Sequence, residues 1–445
     1  SDPCRHLDRA ATRQRARNHV MRDARAILEE LFAVAVRAAH PATCLPAHLP
    51  PAPEGGRLIV LAAGKAAGAM AEVAERHYAD VPDGRFIGLA VTRPGYARAV
   101  GRLAMVEAGH PVPDDAGLRA TDRVLEFADS AREGDTVLVL MSGGASANWI
   151  APAHGISLAE KQAVTRALLR SGAHIGEMNT LRKHLSRIKG GRLAERASPA
   201  RVITLAISDV PGDDPAVIGS GPTVPDPSTL EDAREIIARY RLDVPASVAA
   251  ALRDPANESP KPGDPLFTGT EFSLIARPAD AFAAAQEAAS KSGYPCIMLG
   301  DREEGEAREV AAKHVALARE GHQRGERCII LSGGELTVTV RGTGRGGPNQ
   351  EYALAAALEL QGTRGITVLA ADTDGTDGGG GSADDPAGAV CDGGTAGKAR
   401  ALGLDPAQFL ANNDATGFFA ALGGLLTPGP TYTNVNDFRA ILVEP

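Results

Sequence analysis

Residues 57–77 read RLIVLAAGKAAGAMAEVAERH: a short β-rich run, then a glycine-containing turn, then a helix of alanines and charges. A strand followed by a turn and a helix is the repeating unit of a parallel sheet covered by helices, so this stretch predicts an α/β fold. The same order recurs in segments 135–149, 201–214, 327–340 and 365–379. Ligands of open α/β sheets bind at the carboxyl ends of the strands, which makes each glycine- or aspartate-rich turn a candidate part of a site.

The length of the chain and a proline-rich break predict two domains. A chain of 445 residues is longer than one hydrophobic core usually serves. Residues 252–267, LRDPANESPKPGDPLF, contain four prolines and little hydrophobic patterning, which is typical of a linker or a surface loop. We therefore predict a Rossmann-like α/β domain with a parallel sheet over residues 1–255 and a smaller α/β domain over residues 256–445.

Charge and cysteine content limit the classes of partner. A formal net charge of −8 argues against nucleic-acid binding, which needs clustered Lys and Arg to displace counterions from phosphates. The five cysteines are far apart and form no C-x-x-C pair, so we expect neither a disulfide framework nor a zinc site. No apolar run approaches the ~20 residues that span a bilayer, and the N-terminus lacks the order of a secretory signal. The prediction is a cytoplasmic protein with no membrane partner.

Lys65 directly follows a glycine at the first strand-to-helix turn, where the helix amides and the helix dipole attract an anion. A phosphate-binding lysine is one interpretation, and a lysine that only begins a helix is the other. The turn is not a Walker A loop, because the upstream glycine is missing and Ala66 stands where Ser or Thr would bind magnesium.

Two Ser-Gly-Gly sequences, each expected where a strand ends, offer successive backbone amides to phosphate oxygens. We predict that both contact a nucleotide, the first with Ser146 and the second with Glu335; the glycine turns are Ser142, Gly143 and Gly144, and Ser332, Gly333 and Gly334. A nucleophilic serine is the rival interpretation. The G-x-S-x-G elbow that would support it is absent around Ser142 and Ser146.

Residues 181–195, LRKHLSRIKGGRLAE, concentrate basic side chains in an otherwise acidic protein. Such a run is usually a solvated helix face, and His184 taken alone is more often structural than catalytic. The Lys-Gly-Gly sequence interrupts the helical spacing, however, and would turn Lys189 or Arg192 toward a carboxylate or phosphate. We predict these two residues as substrate ligands.

Aspartates follow two of the predicted strands. Asp209 stands where the third strand ends, and Asp374 and Asp377 emerge from the apolar run 365–371. Oxygen-only ligands suit magnesium, so we predict these three as metal ligands and Asp209 also as the catalytic base. Glycines 378–381 would let the backbone approach a substrate without side-chain obstruction.

A G-x-G-x-x-G spacing at Gly342, Gly344 and Gly347 favours a dinucleotide enzyme, although that fingerprint belongs at the start of a βαβ unit. Arg345 inside the same loop is better explained by a bound phosphate, since a guanidinium makes bidentate contacts with such oxygens. We predict that Arg345, Gly346 and Gly347 contact the nucleotide and that Asn349 contacts the substrate.

Nine segments taken together resemble the glycerate kinase family that contains the MOFRL domain, related to the tartrate-utilisation protein TtuD and long labelled hydroxypyruvate reductase. In chain order they are GKAAGAMA, GHPVPD, SGGASA, KHLSRIKGGRLA, SDVPGDDPAVIGSGPT, SGGE, GRGGPNQE, DTDGTDG and TPGPTYTNVNDFRAIL. The resemblance covers nearly the whole chain, and nine ordered segments are far more specific than any one of them.

The resemblance implies ATP- and Mg²⁺-dependent phosphorylation of D-glycerate, generally at the 2-hydroxyl, in a cleft between two α/β domains. It also implies a mixed sheet in the second domain and essential roles for Lys65 and Arg345, and it leaves a homodimer open. This chain has Pro348 where many relatives have a further arginine. Two alternatives remain at this point: an NAD(P)H-dependent hydroxypyruvate reductase, and a ligand-binding protein without catalytic activity.

Overall fold

A computed structural model describes residues 23–380 and 382–445, which form two six-stranded sheets flanked by helices. The prediction about a secretory signal concerns residues 1–22, which lie outside the described residues, as does Gly381 of the glycine run. In the described part of the chain, no helix is both long and apolar enough to cross a membrane.

The first sheet has the strand order β3-β2-β1-β4-β5-β6, and every neighbouring pair is parallel. This is the order of a Rossmann fold, so the predicted parallel Rossmann-like layer is confirmed. Both faces of the sheet are covered, which is why its central strands are continuously apolar. Its strands are β1 (Leu58–Ala63), β2 (Phe86–Thr92), β3 (Ala104–Glu107), β4 (Thr136–Met141), β5 (Arg201–Ile207) and β6 (Thr270–Ala276).

The second sheet is mixed, as the resemblance implied. Its strands are β7 (Cys296–Glu306), β8 (Cys328–Thr337), β9 (Ile366–Asp372), β10 (Gly388–Asp392), β11 (Leu425–Leu426) and β12 (Asp437–Val443), in the spatial order β11-β10-β9-β12-β8-β7. Strand β12 runs antiparallel to both of its neighbours, while β7 and β8 are parallel. The start of β12 therefore lies beside the end of β9, and Asp437 pairs with Asp372.

The helices cover both sheets, and short 3-10 turns connect some of them. The α-helices are Ala24–Ala39, Pro41–Cys44, Ala67–His77, Asp115–Asp129, Ala145–Asn148, Leu158–Ser171, Ile175–His184, Arg192–Ala197, Leu230–Arg239, Ala246–Ala251, Pro278–Lys291, Ala307–Gln323, Pro348–Glu359, Thr395–Ala401, Pro406–Ala411 and Ala415–Leu422. The 3-10 turns are Pro46–His48, Ile218–Ser220, Pro255–Asn257 and Pro265–Gly269.

The two sheets are not separated at the predicted boundary. Strand β6 follows residue 255 in sequence but pairs with β5 and completes the first sheet. Conversely, the helix Ala24–Ala39 packs with the helix Pro278–Lys291, and its Phe32 contacts Phe438 of the second sheet with ring centroids 6.0 Å apart. A division of the chain at residues 255/256 stays a prediction, and the strand pairing alone would divide it after Ala276.

One local expectation is wrong. The second Ser-Gly-Gly does not end a strand, because β8 continues through Ser332–Gly334 to Thr337. Gly333 pairs with Phe438, and Gly334 pairs with Asp437 on one side and Glu303 on the other. A Cβ on Gly333 would lie 2.5 Å from the Phe282 ring, so glycine is needed there for packing rather than for a phosphate cradle.

Candidate active site

The ends of strands from both sheets meet around a polar cavity of about 180 Å³. The first sheet contributes the residues that follow β1 and β5, and the second sheet contributes those at the ends of β8 and β9 and at the start of β12. The cavity is lined by Lys65, Asp209, Glu335, Leu336, Pro348, Asp372, Asp377, Gly378, Asn434, Asn436 and Asp437. Four of these residues, Lys65, Asp209, Glu335 and Asp377, were predicted as site residues from the sequence.

Lys65 is held at the cavity by the turn that follows β1. Its backbone N–H donates to the Gly143 carbonyl at 2.8 Å, and the next amide, of Ala66, donates to Ser142 Oγ at 2.9 Å. Its side chain is 12% exposed, and Nζ lies 2.6 Å from Asp374 Oδ2. Burial disfavours the ammonium, but Asp374, Asp372 and Asp209 more than offset that effect, so the pKa of Lys65 is raised. Lys65 is therefore a buried, permanent cation.

Asp374 is fixed from three sides. Its Oδ1 accepts hydrogen bonds from the amide and the hydroxyl of Thr376, at 2.7 and 3.1 Å. Arg93 Nη1 approaches Oδ2 at 3.8 Å, and the Tyr96 hydroxyl donates to the Asp374 carbonyl at 2.7 Å. Burial alone would raise the pKa of this carboxyl, but Lys65 and these donors hold it below its usual value. Asp374 is thus a counter-ion for Lys65.

Asp209 reaches the cavity from the first sheet and is joined there to the second. Its Oδ2 accepts from Asn434 Nδ2 at 2.8 Å, and its carbonyl accepts from Asn436 Nδ2 at 3.2 Å. The Gly143 backbone lies against this pair, since a Cβ on Gly143 would be 2.1 Å from both bonded atoms. Burial raises the pKa of Asp209, while Lys65 lowers it by a smaller amount.

Asp377 has a different environment from the one predicted. Its carboxylate accepts from the backbone amides of Asn349 and Gln350, at 3.0 and 2.8 Å, and from both of their side-chain amides. It therefore caps the N-terminus of the helix Pro348–Glu359, a position that favours a carboxylate. Burial nevertheless raises its pKa to about 7. Because four donors occupy its two oxygens, these contacts do not support the predicted metal role.

Asn349 lies beside the same cavity. Its Nδ2 donates to Asp377 Oδ1 at 3.1 Å and to Asp437 Oδ1 at 2.7 Å, which fixes the orientation of the amide. Its Oδ1 is buried and accepts no hydrogen bond from any described residue. A buried carbonyl oxygen without a donor is costly unless a ligand supplies one.

The glycine loop 342–347 packs against protein rather than forming an open cradle. A Cβ on Gly342 would lie 2.2 Å from the Asn412 carbonyl, and one on Gly347 would lie 2.4 Å from the Asp377 backbone. The spacing of these glycines thus has a structural cause, which weakens the dinucleotide interpretation. Arg345 is exposed, and its backbone bonds to Asp414 and Thr416. The backbone of Gly346 and Gly347 lies near the cavity, but the side chain of Arg345 does not line it.

The basic run 181–195 does not reach this cavity. The helix Ile175–His184 ends earlier than its apolar spacing predicted, and Gly190 and Gly191 follow with φ of 64° and 83°. Arg192 is buried and donates to the carbonyls of Lys183, Lys189 and Asn257. These contacts give it a structural role and leave it without access to a substrate. Lys189 Nζ bonds to Ser146, at 2.6 Å from both its carbonyl and its hydroxyl oxygen.

Several residues of the site were not singled out from the sequence. Asn434 and Asn436 precede β12 and Asp437 begins it, in a segment that entered only as part of a resemblance. The signal was the dense polar run just before an apolar strand. Because β12 is antiparallel to β8 and β9, residues before it lie at the same edge as residues after them. Arg439, whose guanidinium bonds to Ser332, Gly333 and Asp437, was also missed.

The oxygen atoms around the cavity suit a magnesium ion only in part. Within residues 23–380 and 382–445, no group of three or more His, Cys, Asp or Glu side chains is arranged to hold a metal by itself. Magnesium, however, usually binds through one or two carboxylates together with substrate phosphates. Oδ1 of Asp209 and Oδ2 of Asp372 accept no hydrogen bond from a described residue, and burial raises the pKa of Asp372 well above its usual value. These two carboxylates fit a cation better than Asp374 and Asp377 do.

Two family models match the chain. A domain of unknown function (DUF4147) matches residues 27–253, and the MOFRL family matches residues 328–437. Together they include all five of the strand-turn-helix segments found in the sequence.

Several relatives are similar to this chain over most of their length. A protein of Agrobacterium vitis provisionally named hydroxypyruvate reductase is 44% identical over 426 residues, which span 94% of this chain and 94% of that protein. The D-glycerate 2-kinase of Thermotoga maritima is 42% identical over 386 residues, or 86% of this chain and 89% of that protein. A crystal structure of glycerate kinase from Thermotoga maritima has a TM-score of 0.82 at 40% identity and covers 94% of this chain and 98% of that one.

Proposed function

The chain belongs to the glycerate kinase family that contains the DUF4147 and MOFRL domains, and from this premise we propose that it transfers the γ-phosphoryl group of ATP to the 2-hydroxyl of D-glycerate. A kinase needs a nucleotide and a small acceptor, and ATP with Mg²⁺ is the pair that we propose here. The observation that carries the proposal is the buried Lys65 cation, paired with Asp374 at 2.6 Å in a cavity lined by carboxylates from both sheets.

The role proposed for Lys65 follows from what phosphoryl transfer requires. The reaction needs positive charge at the oxygens of the transferred group and a nucleophile held in line with it. Lys65 supplies fixed positive charge at one end of the cavity, where its backbone is held by hydrogen bonds to the turn Ser142–Gly144. Because Asp374 and Thr376 hold Lys65 in place, little reorganisation is needed during the reaction.

We propose that Asp209 receives the proton of the glycerate hydroxyl. Its pKa is raised by burial, which makes it a stronger base than an exposed aspartate. Asn434 orients it, and the unpaired Oδ1 of Asn349 is a suitable acceptor for a second hydroxyl of the substrate. Asp209 and Asp372 would hold magnesium, which supplies charge neutralisation at the phosphates when bound. Arg345 stays a proposed phosphate ligand that approaches when the nucleotide is present.

The competing reductase activity has less support. It rests on the name of two relatives from Agrobacterium vitis and on a glycine spacing that the packing against Asn412 and Asp377 explains. Cytoplasmic location and a homodimeric state remain predictions.

A coupled assay tests the proposal. The chain is incubated with D-glycerate, ATP and magnesium, and the product is passed to enolase, which accepts 2-phosphoglycerate directly and 3-phosphoglycerate only after a mutase. Phosphoenolpyruvate should form without mutase. Oxidation of NADH with hydroxypyruvate, in place of ADP formation, would contradict the proposal.

Lys65→Met should reduce kcat by about 10³-fold or more, because it removes the charge that stabilises the transferred group. Lys313→Met, at an exposed position of the helix Ala307–Gln323, is the matched control and should retain full activity. Near-normal turnover in the Lys65 variant, with its circular dichroism unchanged, would overturn the assignment of the site.

A further inference from the structure

A second and larger cavity, of about 450 Å³, is lined by Ser146 and Ala147, which follow the turn Ser142–Gly144. Its charged lining is entirely basic among the described residues, and it consists of Lys161, Arg166, Arg182 and Lys189. The site described above has the opposite character, since carboxylates dominate it. In a protein with a net charge of −8, an all-basic cavity indicates a specific anionic ligand.

Two of these cations are buried without a carboxylate partner. Among the described residues, the Nζ of Lys161, which is 5% exposed, bonds only to the carbonyls of Leu185 and Arg182, at 2.5 and 3.4 Å. The Nζ of Lys189, which is 3% exposed, bonds only to Ser146 in the same part of the chain. Burial lowers the pKa of both ammonium groups, that of Lys189 to about 7, and the neighbouring cations lower them further. An anion in the cavity would remove this cost.

The rest of the lining suits an apolar ring system. Val112, Ile150, Leu158 and Leu169 line the cavity, and Val112 and Leu169 are 66% and 60% exposed. Pockets for ligands of drug size are on the order of 300–1,000 Å³. The larger cavity lies in that range at 450 Å³, whereas the acidic cavity, at 180 Å³, suits a three-carbon acid.

The two cavities are joined by one short turn. Ser146 and Lys189 line the larger cavity, and the Gly144 backbone, two residues before Ser146, lies against Lys65, with a Cβ position 3.5 Å from Lys65 Cγ. Gly143 in turn lies against Asp209. A phosphate chain that begins at Lys189 and ends at Lys65 would pass the His110 ring, which lies 2.9 Å from the Cβ position of Gly144.

We propose that the larger cavity binds the nucleoside triphosphate, with the base against Val112, Ile150 and Leu169 and the phosphate chain running from Arg182 and Lys189 past Gly144 and His110 to Lys65. The inference rests on the proposed function, because it places the phosphoryl donor of that reaction. It leaves D-glycerate in the acidic cavity, beside Asp209. It also reassigns Lys189 from the carboxylate of the acceptor to the phosphates of the donor.

Calorimetry with MgADP on the full chain, without D-glycerate, tests the placement directly. Arg182→Gln removes a half-buried cation that has no acidic partner, and Thr165→Trp fills the cavity from the helix Leu158–Ser171. Each should raise the Kd of ADP by about 10-fold or more, as the loss of a charge-assisted contact predicts. The KM of D-glycerate should change by less than about 2-fold, because a substitution that weakens only the binding of the nucleotide leaves the binding of D-glycerate unaffected.

Arg170→Gln is the matched control, since Arg170 lies on the same helix, is exposed and does not line the cavity. Unchanged ADP affinity in folded Arg182→Gln would overturn the proposal, and so would a rise in the KM of D-glycerate with ADP affinity intact. If Thr165→Trp does not fold, Arg182→Gln still decides. If ADP binding depends on Arg182 but the chain makes no phosphoglycerate, the placement is supported and the proposed reaction is refuted. If the chain makes phosphoglycerate but ADP binding does not depend on Arg182, only the placement is refuted.

Discussion

Lys65 shows how a buried charge is kept ready for a reaction. Its ammonium lies among Asp374, Asp372 and Asp209, which raise its pKa against the effect of burial. Of the described carboxylates, Asp374 alone forms an ion pair with it, and Asp374 is itself held by Thr376 and Arg93. Asp374 therefore sets the position of the Lys65 ammonium, and this is its only role in the proposed reaction.

Asp374→Asn tests that positioning role. The amide is nearly isosteric but cannot compensate the charge of Lys65, so kcat should fall by about 10²-fold, the usual effect of misplacing a catalytic group by about 1 Å. The free energy of unfolding should fall by about 3 kcal/mol, because a buried charge loses its direct partner. Asp384→Asn, at an exposed position of the same loop, is the control. Unchanged turnover and magnesium dependence in Asp374→Asn would return this loop to a structural role.

His110 makes stability depend on pH. Burial, and then Lys65 and Arg93, lower its pKa from 6.5 to about 3. The unfolded chain therefore binds a proton near pH 6.5 where the folded chain does not, so stability is full above pH 6.5 and is lost as the pH falls toward 3. Between pH 6.5 and pH 5, the free energy of unfolding measured in urea should fall less in His110→Asn than in the original chain. The difference between the two decreases should reach about 2 kcal/mol. Equal losses in both chains would contradict this.

At the scale of elements, the turn after β4 connects the two sheets. Gly143 leaves room for the hydrogen bond between Asn434 and Asp209, which links the start of β12 to the end of β5. Asn434 and Asp209 are 225 residues apart in sequence, so the bond exists only in the folded chain. The glycine is needed here for close approach, since no positive φ is recorded at Gly143.

Gly143→Ala should damage activity more than folding. Its Cβ would lie 2.1 Å from both partners of that hydrogen bond, so Asp209 must move, and kcat should fall by about 10²-fold. Overpacking at a rigid site costs about 1–3 kcal/mol of stability. Gly176→Ala, in the helix Ile175–His184, is the control, because no neighbouring atom lies within 4 Å of the added Cβ. This variant should keep both its activity and its stability. Normal turnover in Gly143→Ala would show that this turn does not set the position of Asp209.

For the whole molecule, the core crosses from one sheet to the other. The buried residues of the helix Ala24–Ala39 belong to one cluster with Leu58 of the first sheet and Phe438 of the second. Phe438 also stacks on Phe282 with ring centroids 5.4 Å apart. The Thr433 hydroxyl donates to the Ala39 carbonyl at 2.7 Å, so the last segment of the chain fixes the first described helix. Residues of both sheets therefore belong to one hydrophobic core.

A fragment of residues 1–255 should therefore fail to fold on its own. It lacks β6, and the apolar face of the helix Ala24–Ala39 has lost Phe282 and Phe438. We expect this fragment to bind a hydrophobic dye and to show no cooperative unfolding transition, as loosely packed states do. A fragment of residues 45–277, which completes the first sheet and omits that helix, is the comparison and should unfold more cooperatively. Cooperative unfolding of 1–255 would support the boundary predicted from the proline-rich segment.

The sequence by itself determined the α/β class, the strand-turn-helix units and the placement of Lys65, Asp209 and Asp372 at strand ends. Those features depend on local periodicity and turn chemistry, which neighbouring residues specify. The ordered segments also indicated the family.

Only the tertiary structure decided which strand-end groups meet. Strand order, and the antiparallel direction of β12, place Asn434 and Asp437 beside Lys65 and Asp209, and no local pattern encodes that neighbourhood. Local sequence also does not encode the partners of Asp377, which caps the helix Pro348–Glu359. Nor does it encode those of Arg192, whose guanidinium donates to nearby carbonyls. Long-range packing assigns each polar group its partners, and the partners determine whether a side chain is structural or free to bind a ligand.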